Sequence, residues 1–322
     1  MTTPSGPRVS ILLATHGADA FISQQLASIA RQSIWREAEL VIVANDPSPR
    51  ERSEAERFRL DWPKQVQQLI VPRESLYASW NRGIEAATAD VLAIANVDDL
   101  RSQTGLEAQL ECLDANPEAL FSYGTFSVVK EFGGTAGRVI SPPEFDTLEF
   151  TRGMHAGPFF AWRKAFGGAH LYFDEQFRSG GDFDFAVRLA WLGRGIRVGE
   201  LLGHYYDAGA GLSTGSPLQP VERTVVELRY GIYDKLDYDY LPDAMRYNIC
   251  NLYWEGAWHP VAQSVPEYEA RMLERRRKWL RRGFRQYYQQ GWRRWLRTSF
   301  GVVVARSKGF LRAIRGRTGA TP

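Results

Sequence analysis

The chain has 322 residues, 44% of them hydrophobic, with 40 Lys and Arg against 37 Asp and Glu. That is ample apolar material for one large domain or a domain with an extension, and it argues against a disordered chain. No run reaches the about 20 apolar residues of a membrane span, and the polar start Met1–Arg8 with the short apolar run Val9–Ala14 does not read as a signal peptide. The expectation is a protein that is cytoplasmic, or peripheral on the cytoplasmic face of a membrane. Its two cysteines, Cys112 and Cys250, match no metal spacing and read as ordinary buried thiols.

In chain order, residues 8–14 read as a first strand. A helix follows, with Asp19 as its cap and Ile22, Leu26, Ile29 and Ala30 on one face. Leu40–Ala44 is a second strand, residues 50–60 a charged helix, and Val66–Val71 a third strand. Ser75 caps a helix whose apolar positions Leu76, Trp80, Ile84 and Ala87 fall at i, i+4, i+8 and i+11. Val91–Ala95 is a fourth strand that runs into Asn96, Val97, Asp98 and Asp99. Strands and helices in this rhythm predict an α/β fold with a doubly wound, mostly parallel sheet. Residues 103–115 then read as a helix, 120–130 as strand, 141–152 as a loop-rich flap, and 183–191 as a helix with Asp182 at its start. Residues 218–265 read as helical, with Val221, Val225, Leu228 and Ile232 on one face.

The first, second and fourth strands end in Thr15-His16, Asn45-Asp46 and Asn96-Val97-Asp98-Asp99. A parallel sheet gathers these ends on one edge, where open α/β sheets bind ligands. Asp98 and Asp99 are hard oxygen donors suited to Mg²⁺ or Mn²⁺ carried in with a phosphate; as turn and cap residues they need no ligand at all. No glycine-rich dinucleotide fingerprint and no P-loop is present. On local logic alone Asp182 is a helix cap or a base, Asp46 a turn residue or a ligand contact, and Arg82 a solvated or a diphosphate-binding side chain.

Taken together, these pieces resemble the family 2 glycosyltransferases, inverting enzymes of the GT-A fold, over residues 8–213. The stretch from Val9 to Gly17 is similar to the family's opening strand and loop. Ser28, Gln32 and Glu39 stand where its next helix and strand carry Ser, Gln and Glu. Asn45-Asp46-Pro47-Ser48 resembles its base-binding turn, and the segment from Asn81 to Ala87 its Asn-x-Gly-Ile helix. Asn96-Val97-Asp98-Asp99 sits at its Asp-x-Asp motif, and Gly181-Asp182-Phe183-Asp184 with Arg188 resembles its catalytic-base motif. The resemblance implies a nucleotide diphosphate sugar donor and a hydroxyl acceptor on a glycan or lipid-linked glycan, as in surface polysaccharide synthesis. It implies a catalytic base at Asp182, donor contacts at Thr15, His16, Asp46, Asn81, Arg82, Asn96, Val97 and Asp98, and Mn²⁺ or Mg²⁺ on Asp98 and Asp99.

Three positions depart from that pattern. Asn96 replaces an acid, Gly181 replaces the acidic neighbour of the base, and His204, with Asp207 as a rival, comes early for a metal-ligating histidine. They motivate an alternative, a nucleotide-sugar-binding protein with weak or no activity. Gln290-Gly291-Trp292-Arg293-Arg294-Trp295 has one residue too many for the processive synthases' motif, so a non-processive enzyme is expected.

The expected organisation is a catalytic domain at 1–215, with a nucleotide-binding half at 1–100 and an acceptor half at 101–215, followed by a helical basic and aromatic extension at 216–322. Residues 266–322 carry 16 Lys and Arg against 3 Asp and Glu, which leaves a net −10 on residues 1–265 of a chain whose total is +3. Phe284, Tyr288, Trp292, Trp295, Leu296, Phe300 and Val303 form one stripe among arginines, suited to an anionic lipid surface or to packing on the domain or on a second copy of the chain. That alternative makes the tail a membrane-binding adaptor or the contact of a homo-oligomer. Nucleic acid ranks last, since no recognition fold accompanies the charge.

Overall fold

A computed structural model of the chain describes residues 6–167, 169–207, 209 and 215–280. Strands Val9–Thr15 (β1), Ala38–Asn45 (β2), Val66–Val71 (β3) and Val91–Ala95 (β4) alternate with helices Ile22–Ala30 (α1), Pro49–Asp61 (α2) and Leu76–Ala86 (α3). Leu100–Arg101 (β5), Gly105–Ala115 (α4), Ala119–Val129 (β6), Arg138–Ile140 (β7), Thr147–Arg152 (α5) and Ala161–Arg163 (β8) follow. After a small hairpin of Ala165–Phe166 (β9) and Ala169–His170 (β10) come Gly181–Leu192 (α6) and the long strand Arg194–Tyr206 (β11). Gln219–Arg229 (α7), Leu241–Ala244 (α8), Asn251–Trp254 (β12), Ala257–Pro260 (β13) and Val261–Ser264 (α9) complete the elements.

Nine strands form one sheet in the order β3-β2-β1-β4-β8-β6-β11-β5, with β7 paired to β6. The first four lie parallel, β8 runs antiparallel to both β4 and β6, and β11 is parallel to β6. The mostly parallel α/β sheet read from the sequence is therefore present. Every residue of β1, β2 and β4 is buried, as strands covered by helices on both faces must be, whereas β3 is an edge strand with Ile70 exposed. On one face, Ile11, Leu13, Ile42 and Ala93 share a cluster with Ile22 and Leu26 of α1 and Leu106 and Leu110 of α4. On the other, α3 lies so close to β1 that a Cβ on Gly83 would come 3.3 Å from Leu12 Cδ2.

The helix ends separate right expectations from wrong ones. Ser75 caps α3 by accepting the Ala78 N–H at 3.2 Å. Asp19 does not cap α1: its carboxylate accepts the Ser48 hydroxyl, and α1 starts without a side-chain cap. Asp182 is not the cap of α6 either, because Gly180 holds that position and Asp182 is the second residue of the helix.

The extension departs further from expectation. Within 218–265 the helices are α7 and the short α8 and α9, and residues 251–260 form a hairpin. Its turn residues Glu255 and Gly256 both take positive φ, at 50° and 73°, the geometry of a two-residue hairpin turn. A boundary near 215 is not where the chain divides. Residues 1–268 form one compact unit and 269–322 a second, of which 269–280 are described and helical. The physical reason is Arg229 of α7, fully buried between Asp174 (2.9 Å) in the segment before α6 and Asp184 (2.6 Å) of α6. Cys250 is exposed rather than buried. Among the described residues no helix is long and apolar enough to cross a membrane. The aromatic stripe from Phe284 onward and the Gln290 motif lie outside the described residues.

Candidate active site

One cavity of about 960 Å³ opens at the C-terminal edge of the parallel strands, a size that suits a drug-sized or nucleotide-sized ligand. Thr15 and His16 after β1, Asn45 at the end of β2, and Asn96, Val97, Asp98 and Asp99 after β4 all line it. Thus the three polar strand ends do converge. The first turn of α3 closes one side with Ser75, Tyr77 and Trp80; Arg178, Ser179 and Asp182 close another; Phe126, Met154 and Tyr205 supply an apolar flank.

Local bonds fix these groups. His16 donates from Nδ1 to the Asn45 carbonyl at 3.0 Å. The Asn45 amide spans to the next loop: its Nδ2 donates to the Glu74 carbonyl at 3.0 Å and its Oδ1 accepts the Glu74 N–H at 3.0 Å, which holds Arg73 at the cavity. Asp99 is almost fully buried. Its Oδ1 accepts the Tyr206 N–H at 2.9 Å and its Oδ2 accepts the Asn96 amide at 2.7 Å. Burial pushes the Asp99 carboxyl up to about 7 and the Asp98 charge adds to this, against the pull of Asn96 and the Tyr206 N–H. Asp98, partly exposed to the cavity, is also raised by burial.

Asp182 points its carboxylate at the N-terminal turn of its own helix, accepting the Phe183 N–H at 2.9 Å. Burial nevertheless dominates and raises it to about 6. The Glu222 charge adds to this, while the Phe183 N–H and the Tyr77 hydroxyl pull down. Tyr77 is buried against Phe173, with centroids 5.9 Å apart, and against Trp80 at 5.6 Å. Its ring explains Gly181: a Cβ there would lie 2.7 Å from Tyr77 Cε2 and Cζ. Any side chain beside Asp182 would displace the tyrosine.

Several residues expected at the site do other things. Asn81 is buried away from the cavity. It donates to the Phe173 carbonyl and to Glu175 Oε1, both at 2.9 Å, and accepts the Phe173 N–H at 2.7 Å, tying α3 to the segment before α6. Arg82 is paired with Glu74 at 2.8 Å and does not line the cavity. Asp46 is exposed at a left-handed φ of 48°, with its N–H on the Val71 carbonyl at 2.9 Å, outside the lining. His204 sits within β11 and is 2.6 Å from the Ser127 hydroxyl, and Asp207 is bonded to Lys130 at 2.8 Å. Asp184, the alternative base, is sealed under Arg229.

Conversely, Tyr77, Arg73 and Arg178 were not singled out from the sequence. Arg73 follows β3 as the other polar ends follow their strands, so the same signal was there to read. Glu222 gave no local signal, since its partners lie 42 to 44 residues away.

Among the described residues no group of three or more His, Cys, Asp or Glu could hold a metal ion. With both Asp99 oxygens committed, Asp98 is the carboxylate offered to a cation. That does not fit a resident ion in a protein cage. It does fit Mg²⁺ or Mn²⁺ bound through one carboxylate together with a substrate's phosphates and water.

Residues 10–166 match the model of the family "Glycosyl transferase family 2". No curated protein matches the sequence significantly. Among solved structures, S. aureus TarS 1–349 in complex with UDP-GlcNAc is 15% identical with a TM-score of 0.55, covering 74% of this chain and 71% of that one. The same protein with UDP is 16% identical at a TM-score of 0.54, covering 74% and 70%. Against another S. aureus TarS structure the TM-score is 0.52 at 16% identity, and the chain spans 43% of that protein. The curled, mostly parallel sheet is shared with these folds, and the family match lies over the parallel strands whose ends line the cavity. Over residues 10–166 this is a family 2 glycosyltransferase domain, in a chain with the GT-A fold.

Proposed function

We propose that this domain transfers a sugar, by single displacement with inversion, from a nucleoside diphosphate sugar to an acceptor hydroxyl. The observation that carries the reading is Asp182, a carboxylate raised to about 6 that faces the same cavity as Asp98 and the polar strand ends. A base must be ionised at working pH yet still want a proton, and a pKa near 6 meets both needs. Asp182 accepts the acceptor's hydroxyl proton as that oxygen bonds to the anomeric carbon. The bond from that carbon to the phosphate oxygen breaks on the opposite face, and the nucleoside diphosphate leaves.

Arg73 and Arg178 line the cavity without a carboxylate within ion-pair distance among the described residues, and stand ready for the diphosphate charge. Asp98 would hold the divalent ion that arrives with the donor; when bound, that ion neutralises charge on the leaving diphosphate. Asn96 serves through Asp99 rather than as a ligand, and Asn81 and Arg82 are left out of the donor contacts. The apolar flank of Phe126, Met154 and Tyr205 suits a sugar acceptor. The remaining assignments extend this reading: hexosyl transfer, one or a few sugars added to a glycan or lipid-linked glycan of a surface polysaccharide, and a cytoplasmic protein held at the membrane face, or paired with its copy, through residues 266–322.

The test is a thermal-shift screen of UDP-, GDP- and dTDP-sugars with and without Mn²⁺, starting from UDP-GlcNAc, followed by release of nucleoside diphosphate from whichever donor binds. A donor should raise the melting temperature, more so with Mn²⁺. Asp182→Asn should slow turnover by on the order of 10²–10⁴-fold while the donor still binds. Full activity in both Asp182→Asn and Asp98→Ala would refute the site assignment, and donor binding without turnover would favour a binding protein.

A further inference from the structure

The start of α6 already holds an anion. Glu222 of α7 is fully buried, and its Oε2 accepts the N–H groups of Ser179 at 2.7 Å and Gly180 at 2.6 Å. Its Oε1 accepts the Arg178 N–H at 2.8 Å and the Tyr247 hydroxyl at 3.0 Å. Three successive N–H groups running into a helix end form the kind of nest that binds phosphate in other folds. Here a carboxylate from a distant helix fills it, so no substrate phosphate can. The approach is close: a Cβ on Gly180 would lie 3.0 Å from Glu222 Cβ.

Two consequences reach Asp182, two residues further on. First, the nest fixes the backbone that carries both Arg178 and Asp182 into the cavity. Second, the partial positive charge of a helix end stabilises a carboxylate in its first turn and weakens it as a base. A full negative charge placed on those same N–H groups opposes that field. The other groups that face Asp182 are the Tyr77 hydroxyl from α3 and the N–H of Phe183 on its own helix. The remaining charged lining of the cavity is Arg73, Glu74, Asp98, Asp99 and Arg178. Of the groups acting directly on Asp182, Glu222 is the negative one.

We propose that Glu222 is a positioning residue of the transfer reaction: by occupying the amide nest at the start of α6 it holds the Arg178–Asp182 segment in place and keeps Asp182 basic enough to take the acceptor's proton. This rests on the reading of Asp182 as the base, but its test does not require a donor or an acceptor.

The test is a ¹³C NMR titration of the Asp carboxyl carbons in the full chain, with Asp182 assigned by the signal lost in Asp182→Asn. Hydrogen exchange of the amides at 178–180 is measured alongside. In Glu222→Gln the nest is left facing a neutral amide. The Asp182 midpoint should fall by about half a pH unit or more, and exchange at 178–180 should quicken by on the order of tenfold, with β1, β2 and β4 unchanged. In Glu222→Asp, one methylene shorter, the charge stays and the fit is lost: exchange should quicken while the midpoint holds nearer the original. An Asp182 midpoint that does not fall in Glu222→Gln overturns the proposal. So does loss of a cooperative melt in both variants, which would make Glu222 a stability element only. If both NMR results appear as expected but Asp182→Asn keeps full turnover, it is the functional reading that fails, not the electrostatic link.

Discussion

Asp182 stands second in α6, where the free N–H groups of a helix end stabilise negative charge, and sequence logic alone therefore points to a weakened base. The structure reverses that expectation because burial outweighs the hydrogen bonds from the Phe183 N–H, its own N–H and the Tyr77 hydroxyl, and the carboxyl rises from an ordinary 3.8 to about 6. A raised carboxylate pKa has a fixed sign in stability. Below about pH 4 both the folded and the unfolded chain hold the proton and Asp182 costs nothing. Between about pH 4 and 6 the unfolded chain releases the proton that the folded state keeps, so the cost grows, and above about 6 it is constant because the folded state then buries a charge that the unfolded state keeps in water. The full shift corresponds to about 3 kcal/mol at 1.4 kcal/mol per pH unit, and solvent reaching Asp182 through the cavity reduces it to on the order of 1–2 kcal/mol. Asp182→Asn should therefore melt higher than the wild type at pH 8 and equally at pH 4, a pairing that a merely structural aspartate would not give. Turnover in the wild type should rise with pH through about 6. Asn96 shows the other kind of surprise at this scale. As a sequence position it is a missing acid; in the fold its amide donates to Asp99 Oδ2 at 2.7 Å, where an aspartate would set two carboxylates against each other. Sequence places the residue at the site but is silent about which neighbour its side chain meets, because that neighbour is chosen by a turn.

At the scale of elements, β1 to β4 and α1 to α3 were legible since apolar runs and helical spacing are local signals. The extension was not. The run from Tyr253 to Trp258 has its aromatics at 253, 254 and 258, which marks no strand alternation, and the Glu255-Gly256 turn lacks the usual Asn or Asp before its glycine. What decides the matter is packing at a distance: Trp254 stacks on His259 at 3.7 Å and on Tyr172 at 5.9 Å. The same blindness hides the role of α7, whose Arg229 is buried with Asp174 and Asp184 while its remaining N–H groups reach the carbonyls of Ile249, Asn248 and Asn251. One guanidinium thus joins α6, the segment before it and the loop leading into β12. Removing it leaves two buried carboxylates without their cation. Arg229→Ala should lower stability by about 3–5 kcal/mol, read as a drop in the urea midpoint at constant slope. Adding Asp184→Asn to Arg229→Ala should recover part of the loss, since the pair is coupled through direct contact. A loss under 1 kcal/mol would show that α7 is not an integral part of the fold.

At the scale of the whole molecule, charge and packing draw nearly the same boundary. The basic stretch begins near 266, and residues 1–265 carry a net −10. A cut at 215 came from the end of the recognisable motifs, since recognition stops where the family's sequence pattern stops and not where the core does. The core runs on to Tyr268, whose hydroxyl bonds the Arg229 carbonyl and whose ring meets Trp191 at 6.0 Å. A chain ending at 215 would expose the buried Asp174 and Asp184, empty the nest that Glu222 fills, and uncover Trp191 and Phe177. A chain ending at 280 keeps all of these contacts. The expectation is that residues 1–280 give a single cooperative melt within a few degrees of the full chain and bind the same donor, while residues 1–215 give no cooperative transition and bind 8-anilinonaphthalene-1-sulfonate through exposed apolar surface. A sharp melt for residues 1–215 with donor binding intact would place the catalytic boundary back where the motifs end, and would make Glu222 and Arg229 ornaments of an appended unit rather than parts of the active site's frame.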